Sequence, residues 1–141
     1  MNRVVITGIG IISCLGNNKK EVLASLLDSK SGLTLNSEYI ENGMRCHISG
    51  QVNPNLEVID RKMLRFMSET SAYAFLSTEE ALADSGLGIE DINNVSTGVI
   101  VGSGTGSSRE LKNVVDTARE KGVKRVGPYA VTRTMGNTTS A

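Results

Sequence analysis

Apolar and polar positions along the chain form two kinds of pattern. Val4-Val5-Ile6 begins a continuous apolar run, the signature of a strand covered on both faces of a sheet. Gly8, Gly10 and Gly16 punctuate its exit. Val22, Leu23, Leu26 and Leu27 then fall at helical spacing, behind Asn18 and Glu21 at capping-box spacing, with Asn in place of Ser or Thr. Gly32 is the predicted stop of that helix. Residues 33–58 are mixed, with a short strand predicted around Cys46-His47-Ile48. Asp60 caps a helical region carrying Met63, Leu64, Phe66 and Met67, which restarts at Ser68, runs through Ala72 to Ala83 and ends at Gly86 and Gly88. Val99-Ile100-Val101 reads as a second buried strand, leading into Gly102-Ser103-Gly104-Thr105-Gly106. Ser107 or Ser108 caps the next helix, with Leu111, Val114, Val115 and Ala118 on one face and Gly122 at its close. Pro128 opens an irregular stretch to the end. Apolar strands alternating with helices imply parallel strands joined by right-handed crossovers, hence an α/β layered fold. No repeat, linker or low-complexity tract interrupts it, so the chain reads as one continuous piece of a sheet-and-helix sandwich.

Composition narrows the function classes. Fifteen basic residues balance fifteen acidic ones, which argues against a general nucleic-acid binder and leaves electrostatic recognition to a local patch. Cys14 and Cys46 are far apart and fit no metal spacing, so a reduced cytoplasmic protein is the simplest reading. Arg3 followed by the apolar run Val4 to Leu15 resembles a short signal peptide, but the run lacks an Ala-x-Ala cleavage site and is too short to span a bilayer. Its Val and Ile content favours a buried strand instead.

Four stretches carry candidate chemistry. Thr7-Gly8-Ile9-Gly10-Ile11-Ile12-Ser13 follows a strand in the manner of a dinucleotide fingerprint, but Ser13 replaces the third glycine and Asp28 lies on the first helix rather than after a second strand. Small residues that let the chain turn tightly against a neighbour are the preferred reading. Gly102 to Ser107 is a better anion cradle at a helix start, yet it lacks the lysine of a P-loop, and a glycine-lined packing contact is preferred. Cys46 and His47 are neighbours whose side chains point to opposite faces of a strand, so they form no dyad, and nothing orients a base toward either thiol. The most informative cluster is Asp60-Arg61-Lys62-Met63-Leu64-Arg65. Three cations near a helix N-terminus oppose its dipole, at about 0.3–1 kcal/mol each when exposed, and Asp60 offsets only part of this. Such a turn fits an acidic partner, or is simply a solvated basic surface. Arg119, Lys121, Lys124 and Arg125 would extend the patch.

The run Arg3 to Ser13 resembles the first strand of β-ketoacyl-acyl-carrier-protein synthases. Further similarities follow in order: Gly16-Asn17-Asn18, Ser31-Gly32, Gly43-Met44-Arg45, Ile59-Asp60-Arg61-Lys62, Arg65-Phe66-Met67-Ser68, Tyr73 to Ser77, Ala83 to Leu87 and Val126-Gly127-Pro128-Tyr129. Together they look most like the bacterial type I enzyme of fatty-acid synthesis. The resemblance implies a thiolase-like five-layered α-β-α-β-α fold, of which residues 1–141 would be an incomplete N-terminal domain. It also implies a homodimer whose cysteine takes an acyl chain from an acyl carrier protein, two histidines assisting decarboxylative condensation with malonyl-carrier protein, and no cofactor or metal. The implied nucleophile and histidines lie beyond Ala141, and Cys14, Cys46 and His47 match none of them. The chain is therefore expected to hold no catalytic residue and to be inactive, and to fold poorly or aggregate alone because a half-sheet leaves edges unpaired.

The same resemblance assigns carrier-protein docking to Lys62 and Arg65, with Arg61 and Arg45 nearby and Lys121 and Lys124 as further cations. It assigns Ala130 to Met135 to a dimer interface that lines the acyl pocket, with Met135 and Thr132 as the contributing residues. Plain interface packing is the alternative for Met135. No nucleic acid or membrane partner is expected. The competing functional readings are a non-catalytic carrier-binding or dimerisation module and a small nucleotide-binding α/β protein.

Overall fold

The computed structural model describes residues 3–141, which divide into two compact units. The first comprises residues 3–55 and 76–87, and the second residues 56–75 and 88–141.

In the first unit, helix α1 (Lys19–Leu27) starts as its sequence dictates. The Asn18 side chain accepts from the Glu21 N–H, while the Glu21 carboxylate accepts from the Asn17 N–H and the Asn18 amide. The first of these bonds satisfies an N–H that a helix start leaves without an intrahelical partner, and the other two tie the preceding residues to the first turn. Val22 and Ser25 are buried, and the Ser25 hydroxyl donates to the Leu15 carbonyl. The helix stops before the expected Gly32. Asp28 caps it and Ser29 takes the left-handed turn at φ 53°. Gly32 serves a packing need instead: a Cβ there would lie 2.6 Å from Cys14 Sγ, and one on Gly50 would lie 2.9 Å from the same sulfur.

Strands β1 (Leu33–Leu35) and β2 (Ile48–Gly50) pair antiparallel, with Thr34 opposite Ser49, and flank helix α2 (Ser37–Glu41), which is capped by Asn36. The strand expected around residues 46–48 is thus present two residues later, with Cys46 and His47 outside it. This is the only sheet among the described residues, and the expected parallel pairing is absent from it.

The N-terminal segment departs from expectation in an instructive way. Residues 4–11 form no strand, and Val4, Val5 and Ile6 are 92%, 72% and 86% exposed. A strand exists only where a neighbour completes its ladder, and no described strand lies beside this segment. Helix α4 (Glu69–Ser85) supplies acceptors instead. Ile9 N–H donates to Asp84 Oδ2 and Ile11 N–H to Glu80 Oε2, at 3.1 and 2.9 Å. The other Glu80 oxygen accepts from the Lys19 N–H at the start of α1, and Asp84 is paired with the Lys19 ammonium. Gly8 and Gly10 make this approach possible, since a Cβ on Gly10 would overlap the Ser77 carbonyl oxygen.

The second unit opens with a 3₁₀ turn (Leu56–Val58) and helix α3 (Arg61–Leu64), then takes in the start of α4. It continues with α5 (Ile89–Ile92), α6 (Ser108–Lys121), a 3₁₀ turn (Val123–Arg125), α7 (Ala130–Thr134) and a final 3₁₀ turn (Gly136–Thr139). Ser107 caps α6 through the Glu110 N–H, and Gly122 closes it at φ 86°, as expected. Gly86 likewise ends α4 with φ 70°. The stretch after Pro128 holds α7 rather than being irregular throughout. Ile59 and Ala72 are buried with Ser68, Ser71 and Ser107. The second expected strand, 99–101, does not form, for the same want of a partner, and Ile100 is 99% exposed. No helix among the described residues is long and apolar enough to cross a membrane.

Two outcomes follow. The isolated chain should self-associate through its exposed apolar segments, and the double variant Val5→Lys, Ile100→Lys should shift light scattering toward monomer. A monomeric, cooperatively melting wild-type chain would contradict this. The Lys19 side chain, then the Ile9 N–H, hold the Asp84 carboxyl below its ordinary value. The stability this group supplies is therefore complete above about pH 4 and is lost as pH falls through the lower folded-state value. Helix content at high dilution should fall more steeply across that acid window in the wild type than in Asp84→Asn; identical acid limbs would remove Asp84 from the account.

Candidate partner-docking site

Helix α3 is a single turn made by its cap. Asp60 Oδ1 accepts from the Lys62 N–H at 2.7 Å, and Arg65 stands at the other end as C-cap. Arg61, Lys62 and Arg65 are all exposed, and among the described residues none of them is in an ion pair. The short length softens the dipole conflict expected from a longer helix, because one turn develops little macrodipole. What remains is mutual repulsion among three cations, answered within the turn only by Asp60.

Lys121 is the last residue of α6, and Lys124 lies in the 3₁₀ turn that follows; both are exposed and unpaired among the described residues. Helix α6 packs against that turn and against α7. A link absent from sequence reasoning joins this region to α3. Arg133, on α7, donates from Nε to the Arg65 carbonyl at 2.9 Å, and its Nη1 lies 3.8 Å from Glu110 Oε2 on α6. Beside it, the Tyr129 and Phe66 rings meet edge to face at 4.9 Å between centroids. Residues 65–66 are therefore held to residues 129–133 at two adjacent points. Nothing in the residue pattern points to Arg133, although it lies in the stretch Ala130 to Met135 that resembles the family's interface segment. A cavity of about 290 Å³ opens next to this link, with Glu110, Asn113, Thr117, Arg125, Tyr129 and Arg133 in its wall.

The remaining expected residues are spread more widely. Arg45 is exposed and belongs to the first unit, not the second. Met135 caps the C-terminus of α7 and is 44% exposed. The Thr132 hydroxyl is used locally, donating to the Tyr129 carbonyl, and the Thr132 carbonyl accepts from Thr138. Cys14 is wedged against Gly32 and Gly50, while Cys46 is exposed with its thiol directed at the Ile48 carbonyl. Gly8 and Gly10 do the packing preferred for them. Gly102 and Gly104 do not, since a Cβ on either would meet only open space; Gly106, at φ 63°, is the one that approaches Gly136. No described cluster of His, Cys, Asp or Glu could hold a metal.

The model of the β-ketoacyl synthase N-terminal domain matches residues 1–141. The chain is 50% identical, over its whole length, to 3-oxoacyl-[acyl-carrier-protein] synthase 1 of Haemophilus influenzae and equally to that of Escherichia coli K12. It spans only 35% and 36% of those relatives. A β-ketoacyl synthase from Burkholderia phymatum superposes with a TM-score of 0.77 at 27% identity, covering 99% of this chain and 35% of that one. A type II polyketide ketosynthase, solved in complex with its acyl-carrier protein, superposes at 0.70 with 20% identity, covering 96% of this chain and 36% of that one. These likenesses give the chain the fold of the front part of a thiolase-like α/β ketosynthase, the class expected from its sequence.

Removing the α3 cap tests how this turn is held. Asp60→Ala should cost about 0.5–2 kcal/mol locally, read as faster amide hydrogen exchange at Lys62, Met63 and Leu64 with α6 unaffected. Unchanged exchange in α3 would mean that the cap contributes nothing there.

Proposed function

The chain belongs to the β-ketoacyl synthase family, through that family's N-terminal domain, and from this premise we propose that the protein carrying it is a 3-oxoacyl-[acyl-carrier-protein] synthase of fatty-acid biosynthesis. The reaction is an acyl transfer followed by a decarboxylative condensation. An enzyme cysteine takes the acyl group from its carrier as a thioester. The malonyl-carrier thioester loses carbon dioxide, and the resulting carbanion attacks that acyl group. A 3-oxoacyl-carrier thioester leaves and the cysteine is free again. The observation that carries this reading is identity of 50% across all of this chain to synthases of that name.

Neither cysteine of this chain suits the nucleophile's role. Cys14 fills a slot between two glycines, and the Cys46 thiol faces the Ile48 carbonyl, an acceptor that cannot take its proton. A nucleophile needs a base or a local field to make its thiolate. In this reading residues 1–141 are the incomplete N-terminal domain, and their own task is to receive the carrier protein and build the dimer. Lys62, Arg65 and Arg61 supply the docking charge, with Lys121 and Lys124 as its extension on the same unit; Arg45, on the first unit, is a further docking cation. Their exposure and, among the described residues, their absence from any ion pair suit an acidic partner that steers in over a distance. The complex of a related ketosynthase with its acyl-carrier protein supports such a partnership. Met135, exposed at the end of α7, is offered with Thr132 to the acyl pocket across a homodimer interface. The free state of both cysteines suits a cytoplasmic setting.

The charge-reversed double variant Lys62→Glu, Arg65→Glu should bind acidic acyl carrier protein about tenfold more weakly at low salt, two pairs of up to about 1 kcal/mol being lost or inverted. The difference should shrink as salt rises, because exposed charges are screened. Equal affinity at low salt would refute the docking assignment.

A further inference from the structure

We propose that Arg133 is a positioning residue for carrier docking: it fixes the backbone at Arg65, and so sets where the Arg65 charge stands relative to Lys121 and Lys124. The inference rests on the docking reading above. A long cationic side chain at the edge of a one-turn helix has no fixed place of its own, since four residues make few internal hydrogen bonds and fray readily. Arg65 is the C-cap of that turn, and its carbonyl is one of the acceptors that a helix end leaves without a partner. The Arg133 guanidinium takes that acceptor with Nε and turns Nη1 toward Glu110. The planar fork of arginine can address two acceptors in fixed relation, which one lysine ammonium cannot do from a single flexible point. Arg133 is partly withdrawn from solvent, at 35% side-chain exposure, and Glu110 more so at 20%, so the link is better sheltered than the docking cations themselves.

The chain of contacts is continuous. Glu110 sits in the first turn of α6, whose last residue is Lys121, and Lys124 follows in the 3₁₀ turn packed on the same helix. The Phe66–Tyr129 edge contact holds the adjacent residue to the segment that carries Arg133. Two groups of cations, far apart in sequence, are thereby mounted on one frame. An acidic partner that meets both at once gains only if their spacing is kept, because each pair alone is weak.

The test separates position from charge and from stability. Carrier-protein affinity is measured for the whole synthase that carries this chain, as wild type, Arg133→Lys, Arg65→Gln and the double variant. Arg133→Lys keeps the charge and loses the fork. It should weaken binding about two- to fivefold, the range of one exposed ion pair. In the Arg65→Gln background the same change should have no effect, since no charge is left there to place. A direct charge contact by Arg133 would instead leave Arg133→Lys at wild-type affinity, and a purely structural role would give the same loss in both backgrounds; either result overturns the inference. If Arg65→Gln binds the carrier as well as the wild type does, the docking reading itself fails, and that outcome is distinct from the other two.

Discussion

Glu80 and Asp84, one turn apart on α4, bind a segment that pairs with no described strand. The match is metric. Four residues of helix advance about 6 Å, and two residues of extended chain advance about 6.6 Å. Carboxylates at 80 and 84 therefore fall in step with the N–H groups of Ile11 and Ile9, which lie on the same edge of the extended segment. The two runs are antiparallel, and the glycines between and before those residues let the backbone approach α4 closely. The second oxygen of Glu80 reaches the first N–H of α1, where a negative charge is favoured by the helix dipole. One pair of acidic side chains thus orients both the N-terminal segment and the helix after it.

The second unit solves the complementary problem. There the groups in need are carbonyls at the end of a short helix, and the answer is a donor with several N–H groups. Arg133 meets the Arg65 carbonyl while facing Glu110. Its charge adds little to the positive turn, because Glu110 faces it. Asp60 is likewise engaged with the backbone of its own turn. Asp60 and Glu110 are thus engaged in holding the frame, while Arg61, Lys62 and Arg65 stand in no ion pair among the described residues, on a chain whose net charge is zero. A chain of zero net charge carries an exposed group of cations in this way.

Helix ends were legible in the sequence because their signals are local. Asn18, Asp60 and Ser107 cap where the spacing predicted, and Gly86 and Gly122 close two helices with positive φ. Gly32 misled because Ser29 adopts the left-handed turn first and the glycine answers Cys14 instead. Strands were far less legible. Val4–Ile6 and Val99–Val101 carry the right residues, yet a strand is a relation between two segments, and the pattern of one cannot supply the other. Short helices such as α5 and α7 escape because one turn leaves too few positions to show a period. At the site, the basic cluster was visible as composition. Arg133 was not, since its role joins positions 68 apart, and no local spacing encodes that.

The exposed surface is of two physical kinds. Along 4–6 and 99–101 the pattern and the exposure disagree: residues whose order suits burial on both faces stand largely in water. Each such Val or Ile forgoes about 1.5–3 kcal/mol of transfer free energy. Surfaces of that character are satisfied by lasting cover, because apolar burial gains only when water stays out. Around α3 there is no disagreement. Arg61, Lys62 and Arg65 are well solvated, and their repulsion is modest in water. An encounter with an acidic partner would replace good hydration with good pairing, a nearly balanced exchange that favours rapid arrival and departure over tight retention. In the docking proposed above, a carrier that delivers a thioester and leaves requires that balance, and it depends on charges that stay exposed but do not wander. The Arg133 link supplies the second condition without removing the first.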